Sequence, residues 1–210
     1  MDDPRRRALA DELYAAGRDH DARHANRLAR WRNVEPETAA MLGVLIRAKQ
    51  ARDVLEIGTS NGYSTIWLGD AVEATAGRLT TLEIEPARTA LARENVARAG
   101  LADVVELRTG DAGAALRAFP DGAFDVVFLD SERDAYVGYW PDLVRTLKPA
   151  GLLAVDNAVS HEAELVEFRA VVTHDERVTA ALVPIGAGVL LVVAPAGRAR
   201  RTARAASPRP

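Results

Sequence analysis

The first candidate for ligand chemistry is a turn that contains two glycines. Gly58 and Gly62 enclose three polar residues directly after an apolar run that ends at Ile57. Glycines between a strand and a helix let a ligand approach the backbone and the helix N-terminus. The spacing is Gly-x-x-x-Gly and no lysine follows it, so it gives only weak support for binding a pyrophosphate or triphosphate. A tight turn with a purely structural role is the alternative.

Acidic side chains follow the next two apolar runs. Glu83 lies about 20 residues beyond the glycine turn, where nucleotide-binding folds place an acid that accepts hydrogen bonds from ribose hydroxyls. Glu85 precedes Pro86 and better suits a helix start, where an acid complements the helix dipole. Asp111 follows the third run. It is placed to cap the next helix or to meet an adenine amino group, and both roles stay open.

The fourth and fifth apolar runs end in oxygen-bearing side chains. Asp130 follows the fourth run, and Asp156 and Asn157 follow the fifth. In parallel sheets, ligands bind beyond the carboxyl ends of the strands. Two carboxylates and an amide there suit a hard cation such as Mg²⁺ or Ca²⁺. The alternative is that these residues cap separate helices.

Histidine and tryptophan supply a few further candidates. His161 follows Asn157 closely and is a candidate base at the mouth of the site, with surface exposure or helix capping as the alternative. His20 and His24 are spaced to share one helix face and could bind a metal there, but a solvated surface is the favoured interpretation. Trp31 is a candidate wall of a substrate pocket.

The elements that position these residues form an alternating series. Short apolar runs at 54–57, 79–84, 104–107, 124–129 and 152–155 alternate with helix-like stretches at 63–72, 86–99, 112–119, 135–147 and 162–172. Near-continuous apolar strands separated by helices indicate a parallel sheet that is covered on both faces. Right-handed crossovers then give a doubly wound α/β fold.

The two ends of the chain depart from this alternation. Residues 5–31 and 37–49 are helix-like, with few apolar positions in the first stretch. Near the C-terminus, the runs 178–185 and 189–194 are joined by Gly186-Ala187-Gly188. A parallel connection needs about a dozen residues or more, so this pair is predicted to form an antiparallel hairpin. The prediction is a seven-stranded sheet, mostly parallel, with an antiparallel C-terminal hairpin strand.

The composition excludes several classes of function. The absence of cysteine excludes disulfides, thiolate metal sites and a cysteine nucleophile. No apolar run reaches the about 18 residues of a membrane span, and the start lacks the apolar core of a signal peptide. We therefore expect a cytoplasmic protein with no membrane partner.

The charge distribution argues against a nucleic-acid partner. The chain has 25 arginines and only two lysines, with a net charge of −3. Five of those arginines lie after residue 194 without an acid, which leaves −8 for residues 1–194. An acidic body does not suit nucleic-acid binding. We expect an N-terminal helical extension at 1–35, a ligand-binding domain at 36–194 and a disordered basic tail at 195–210.

The motifs taken together resemble a known family. They are the segments 54–65, 82–86, 110–112, 128–133 with Tyr136 and Tyr139, and 151–157. In this order they resemble the class I S-adenosylmethionine-dependent O-methyltransferases, and most closely the cation-dependent catechol and caffeoyl-CoA branch. The resemblance extends over about residues 30 to 194, hairpin included, and implies that family's Rossmann-like fold.

The resemblance also implies a role for individual residues. Those implied to bind S-adenosylmethionine are Val34, Glu56, Gly58, Thr59, Ser64, Glu83, Asp111, Ala112 and Asp130. Glu83 would meet the ribose, Asp111 and Ala112 the adenine, and the others the methionine part. Asp130, Asp156 and Asn157 match the family's ligands for a divalent cation.

The sequence departs from the family at two positions. The family's general base is a lysine three residues after the first metal-binding aspartate, and here that residue is Arg133. A guanidinium stays protonated, so it cannot act as this base. The last hairpin reads Gly-Ala-Gly, where the family tends to have Gly-Asp-Gly.

The function implied is methyl transfer from S-adenosylmethionine to a hydroxyl of a small phenolic or catechol-type acceptor. Arg133 would stabilise the phenolate, and proton removal would be left to the metal-activated hydroxyl, water or His161. The resemblance also implies a homodimer, for which we expect the charged N-terminal helix to be used. The alternative is a catalytically impaired or metal-independent cofactor-binding protein. The glycine spacing and the hairpin disfavour a nicotinamide dehydrogenase.

Overall fold

The computed structural model describes residue 1 and residues 3–196. Within these residues the helices are α1 (Pro4–Arg23), α2 (Pro36–Lys49), α3 (Tyr63–Glu73), α4 (Pro86–Arg98), α5 (Ala112–Ala118), α6 (Tyr136–Thr146) and α7 (Val166–His174). Short 3-10 turns lie at Arg27–Ala29, Arg133–Ala135 and Glu162–Leu165. The tail that we predicted to be disordered lies outside the described residues, apart from residues 195 and 196.

The strands form one sheet. They are β1 (Asp53–Ile57), β2 (Arg78–Glu83), β3 (Val105–Thr109), β4 (Phe124–Leu129), β5 (Leu147–Val155), β6 (Thr179–Val183) and β7 (Val189–Val193). Their order is β3-β2-β1-β4-β5-β7-β6. Strands β1 to β5 pair in parallel, whereas β7 is antiparallel to both β5 and β6. The predicted doubly wound sheet with an antiparallel C-terminal hairpin is therefore confirmed.

The two faces of the sheet have separate apolar cores. Helices α1 to α4 bury their apolar side chains on one face, and α5 to α7 bury theirs on the other. Successive side chains of β1 point to opposite faces of the sheet, so Val54 packs in the first core and Leu55 in the second. Burial on both faces explains why the strands read as continuous apolar runs.

Element boundaries follow the sequence except where polar residues continue a strand. Six strands begin and end within two residues of their predicted runs, but β5 begins five residues early, at Leu147. Leu147 pairs with Phe124, and the following Lys148 and Pro149 hide this part of the strand from an apolar pattern. Proline opens α1, α2 and α4, as its fixed φ favours the first helical position.

The N-terminal helix is shorter than predicted and is part of the core. It ends at Arg23, because the Asp21 carboxylate accepts hydrogen bonds from the backbone N–H groups of Trp31 (2.7 Å) and Arg32 (2.8 Å) and turns the chain back. Leu9 and Leu13 are buried in the core that α1 shares with α3. The few apolar positions of this helix are therefore enough to make it part of the core.

The homodimer stays a prediction. Light scattering on the intact chain is expected to give about twice the chain mass of 22.6 kDa. A truncated chain is the wrong sample, because removing α1 would expose the core that Leu9 and Leu13 cover. A mass equal to one chain at all concentrations would contradict the prediction.

Among the described residues, no helix is long and apolar enough to cross a membrane. The cytoplasmic location remains a prediction.

Candidate active site

The carboxyl ends of β1 to β5 surround one cavity of about 710 Å³. Between β1 and β4 the order of the strands reverses, and such a switch point is where ligands bind in doubly wound sheets. Nearly all of the predicted site residues line the cavity. The residues that do so are Val34, Gly58, Thr59, Ser64, Glu83, Asp111, Ala112, Asp130, Arg133, Asp156, Asn157 and His161. The exception is Glu56.

The glycine turn needs glycine for two separate reasons. Gly58 has φ +105°, in the region that favours glycine, and a Cβ at this position would overlap with the backbone carbonyl of Asp130. Gly62 has φ +86° and forms the N-terminal boundary of α3. The backbone N–H of Gly58 donates to the Leu82 carbonyl (3.0 Å), which ties the turn to β2. The structure therefore brings the ends of β1, β2 and β4 close together.

Glu56 lies beneath the turn and does not line the cavity. Its carboxylate is fully buried and accepts hydrogen bonds from the hydroxyls of Ser64, Thr65 and Thr81, each at 2.6 Å. Burial raises the pKa of Glu56 to about 7, although the three hydroxyl donors oppose the shift. The resemblance implied direct cofactor binding, but the described geometry makes Glu56 a residue that positions the start of α3.

Glu83 is buried at the end of β2, with its carboxylate in the cavity wall. It accepts the backbone N–H of Ser60 through Oε2 (2.8 Å) and that of Glu85 through Oε1 (3.0 Å). A carboxylate has about four lone-pair sites, so acceptor capacity remains for a ligand. The two bonds hold the side chain in place beside the glycine turn.

Asp111 has the capping role that was one of its two alternatives. Its carboxylate accepts the backbone N–H of Ala114 (2.7 Å) at the start of α5. Asp111 and Ala112 also line the cavity, as does Tyr139. Contact with an adenine remains a prediction.

Asp130, Asp156 and Asn157 lie together at the ends of β4 and β5. The Asn157 Nδ2 lies 3.3 Å from Asp130 Oδ1 and 2.9 Å from Asp156 Oδ2. The alternative that the two aspartates cap helices is wrong, because the turns that follow them have Glu132 and His161 at their N-terminal boundaries. Asn157 has φ +62°, a conformation that asparagine tolerates better than most residues.

The carboxylates of this group have features that suit a divalent cation, which would need Asn157 to present Oδ1 in place of the Nδ2 that faces both aspartates. Asp156 is buried, and its Oδ1 has no hydrogen-bond partner among the described residues. Burial raises the pKa of both carboxyls, and the charge of Asp130 raises that of Asp156 further. The charges of Arg32 and Arg133 oppose the shift at Asp130. An unpaired oxygen and crowded carboxylates are the features that a bound cation would satisfy.

No cluster of three or more His, Cys, Asp or Glu side chains that could hold a metal ion occurs within the described part of the chain. The group above has two carboxylates and would take its third ligand from an amide, so it is not a cluster of that kind. Metal binding stays a proposal.

The two predicted catalytic residues also lie at this end of the cavity. Arg133 is 5% exposed, and its Nη1 donates to Glu164 Oε2 at 2.9 Å. The Nδ1 of His161 lies 2.9 Å from the Ser160 hydroxyl. Burial, and then the charge of Arg133, lower the pKa of His161. The neutral form of the His161 imidazole is therefore favoured, because Arg133 carries a fixed positive charge nearby.

Comparison with known proteins identifies the family. The sequence profile described as O-methyltransferase matches residues 18–194. The chain belongs to the O-methyltransferase family. The predicted family and enzyme class are thereby confirmed.

Individual relatives of the family support the same assignment. The chain is 39% identical to a catechol O-methyltransferase of Mycobacterium tuberculosis over 79% of this chain and 70% of that protein. It is 38% identical to a catechol O-methyltransferase of Niastella koreensis, over 60% of this chain and only 58% of the relative's length. The structure of an O-methyltransferase from Bacillus cereus in complex with SAH superposes with a TM-score of 0.74 and 25% identity, covering 89% of this chain and 90% of the other.

An ionic cluster that the sequence analysis missed lies at the mouth of the cavity. Glu132 accepts from Arg27 (2.7 Å) and Arg32 (2.5 Å), and Arg27 also reaches Glu164 at 3.4 Å. The cluster connects the segment after α1 to the residues that follow β4 and β5. Its members are far apart in sequence and lie in loops and short 3-10 turns, so no periodic pattern indicates the cluster.

The segment between α1 and α2 crosses the cavity. Trp31 lines it, as predicted for a pocket wall, and the Trp31 carbonyl accepts the Ser60 hydroxyl (2.8 Å). His20 stacks on Trp31 with ring centroids 4.0 Å apart, and His24 stacks on His20. The two histidines are half-buried supports for this segment, which differs from the solvated surface that we expected.

Hairpin residue Ala187 stands where the family tends to have an aspartate. Its carbonyl accepts the backbone N–H groups of Val159 (3.1 Å) and Ser160 (2.9 Å). The hairpin therefore supports the segment after Asn157 through its backbone.

Proposed function

We propose that this chain transfers a methyl group from S-adenosylmethionine to a hydroxyl of a small phenolic or catechol-type acceptor, assisted by a divalent cation. The observation that carries the proposal is that one cavity is lined both by the predicted cofactor residues and by Asp130, Asp156 and Asn157. The names of two relatives and the SAH in the Bacillus cereus structure support it.

The cofactor would occupy the part of the cavity between the glycine turn and β2. The turn allows the ligand to approach its backbone, and the N-terminus of α3 faces the same space. Glu83 would accept both ribose hydroxyls, and Asp111 and Ala112 would lie against the adenine. Asp130 would meet the methionine amine from the opposite side.

Replacing Glu83 with alanine is expected to weaken cofactor binding. Hydrogen bonds to a charged group contribute about 1.5–3 kcal/mol, which corresponds to roughly 10- to 150-fold in affinity. Calorimetry with S-adenosylhomocysteine measures the change. Glu94→Ala is the matched control, because Glu94 is an exposed residue of α4 outside the cavity. Equal affinities for the wild type and Glu83→Ala would remove the ribose assignment.

A divalent cation held by Asp130, Asp156 and Asn157 would lower the pKa of an acceptor hydroxyl and orient two neighbouring oxygens. The protein's own contribution is to hold the acceptor oxygen in line with the methyl group. The oxygen–carbon bond forms as the carbon–sulfur bond breaks, and the cofactor leaves as a neutral thioether. Arg133 would stabilise the oxyanion but cannot take its proton.

The pH dependence of the rate follows from Arg133. Activity should rise with pH towards the pKa of the bound hydroxyl, because only the ionised form attacks. Arg133→Lys would introduce an amine able to accept the proton. With catechol as the acceptor, which is protonated at neutral pH, the pH–rate profile should therefore shift to lower pH and the rate at neutral pH should rise roughly tenfold or more. The control is Arg169→Lys, whose side chain pairs with Glu162 outside the cavity. Superimposable profiles for the wild type and Arg133→Lys would contradict this role.

A second candidate function rests on the same residue. With arginine in place of the family's lysine, the alternative is a protein that binds the cofactor without transferring its methyl group. Cofactor binding by calorimetry, together with no turnover over a panel of catechols, would favour that alternative.

A further inference from the structure

We propose that the acceptor binds with its reacting oxygen already ionised, so that its class is an acidic phenol or enol, or a carboxylate. This inference rests on the proposed function and specifies its substrate. It starts from the side chains that surround the acceptor end of the cavity.

Neither lysine of the chain can reach this cavity. Lys49 donates to the carbonyl of Ala150 (2.6 Å), and Lys148 pairs with Asp53 and Asp125 at 2.5 and 2.9 Å. Asp53 begins β1 and Asp125 lies at the start of β4, so these pairs lie at the amino edge of the sheet. The fixed cations that line the cavity, at the opposite edge, are arginines, which accept no proton.

Two of those arginines retain unused donors. Arg133 has one hydrogen bond, from Nη1 to Glu164, and Arg32 has one side-chain bond, from Nη2 to Glu132. The Nε atoms of both are buried and have no partner among the described residues. The Nε atoms are too enclosed to meet a ligand, but the terminal nitrogens Arg133 Nη2 and Arg32 Nη1 also have no hydrogen-bond partner among the described residues. Both arginines line the cavity, so these terminal nitrogens are the donors that a ligand oxygen there can accept from.

The two arginines lie on the same cavity. Arg32 and Arg133 both line it, as do Asp130 and Asp156. The other charged or titratable groups near Arg133 are Asp156, Glu164, His161 and Tyr136, and Arg27 and Glu132 join through their ion pairs. Glu132, which is half-buried, and the exposed Glu164 already pair with these arginines. The interior therefore combines the fixed guanidinium charges and their unused donors with the carboxyls of Asp130 and Asp156.

An ionised acceptor makes the transfer balance without a base. The oxyanion donates an electron pair to the methyl carbon, the carbon–sulfur pair returns to sulfur, and the sulfonium charge is neutralised. No proton has to leave in this step. Arginine at position 133 therefore suits an acceptor that is ionised before it binds.

A spectroscopic titration tests oxyanion binding directly. The probe is 4-nitrocatechol, whose ionised form absorbs visible light, titrated against the enzyme with S-adenosylhomocysteine and a chelator present. Bound to the wild type, its apparent pKa should fall by about one unit or more, a tenfold change in the ionised fraction. Arg133→Met should remove most of this shift, and Arg32→Met should reduce it. Arg93→Met is the control, because Arg93 is an exposed residue of α4 outside the cavity.

Turnover is the second test, and it distinguishes a phenol-type acceptor from a carboxylate acceptor. At neutral pH the wild type should methylate 4-nitrocatechol at least about tenfold faster than catechol, since a simple phenol ionises near pH ~10. Arg133→Lys should lower the ratio of the 4-nitrocatechol rate to the catechol rate. Benzoate distinguishes a carboxylate acceptor, because its product would be an ester and not an ether.

Two results would overturn the inference. One is an unchanged or raised pKa of bound 4-nitrocatechol. The other is equal methylation of catechol and 4-nitrocatechol by the wild type. Equal methylation would overturn the inference but leave the proposed function standing. If S-adenosylhomocysteine binds but no acceptor is methylated, the proposed function itself fails and the inference with it.

Discussion

Removal of divalent cations is expected to abolish methyl transfer, and added Mg²⁺ should restore it. Asp156→Ala should have the same effect as chelation while cofactor affinity is largely kept, because Asp156 is assigned to the cation alone. Asp130→Ala should lower both transfer and cofactor affinity, because Asp130 is assigned to the cation and to the methionine amine. The unpaired oxygen of Asp156 and the crowding of the two carboxylates support this division.

Three measurements separate these effects. Turnover is followed with and without a chelator, S-adenosylhomocysteine affinity is measured by calorimetry, and Mg²⁺ binding is measured by calorimetry without any acceptor. Asp134→Ala is a matched control, because Asp134 is exposed and does not line the cavity. An enzyme that ignores the chelator, with Asp156→Ala fully active, would defeat the proposed cation site.

Gly58→Ala is expected to have the second large effect, on both stability and cofactor binding. The new Cβ would overlap with the Asp130 carbonyl, in a backbone conformation with φ +105°. Left-handed strain costs roughly 1–2 kcal/mol, and overpacking adds about 1–3 kcal/mol. The free energy of unfolding should therefore fall by roughly 2–5 kcal/mol. Any relief of the overlap must move the turn or Asp130, so cofactor affinity should fall as well.

A second glycine provides the control. Gly138 lies in α6, and a Cβ added to it would have nothing within 4 Å. Gly138→Ala should therefore leave cofactor binding unchanged and raise the free energy of unfolding by about 0.5–1 kcal/mol. Chemical denaturation and calorimetry measure the two quantities. If Gly58→Ala matches Gly138→Ala in stability and cofactor affinity, the close approach of the turn to Asp130 is wrong.

The fold could be predicted from the sequence because its strands are buried on both faces. Val54 and Leu55 illustrate this, since adjacent residues enter different cores and both must be apolar. The short Gly186–Gly188 link was equally informative, as only an antiparallel turn closes it. Leu147, at the start of β5, was missed because the residues after it are polar and interrupt the apolar run.

The site could be predicted only as far as strand ends indicate it. Glu83, Asp130 and Asp156 each lie at the end of a strand, so their convergence on one edge follows from parallel topology. The direction of a side chain does not follow from it, and Glu56 turned out to face three hydroxyls beneath the turn. Contacts between distant irregular segments, such as the Arg32–Glu132 pair, have no local signal at all.

The path of the N-terminal segment is a related case. A helical pattern predicted one helix to residue 31, but Asp21 forms hydrogen bonds with the backbone of Trp31 and Arg32. A charged residue in a charged helix gives no sign of this role. The resulting turn is what places Trp31, Arg32 and Val34 in the cavity wall.

The most direct measurement is transfer of an isotopically labelled methyl group from S-adenosylmethionine to a panel of catechols that includes 4-nitrocatechol. Nuclear magnetic resonance and mass spectrometry of the products show where the label is bound. We predict a labelled monomethyl ether and an equal amount of S-adenosylhomocysteine, with Mg²⁺ present. S-adenosylhomocysteine binding without a labelled ether from any acceptor would contradict the account and leave a protein that binds the cofactor without transferring its methyl group.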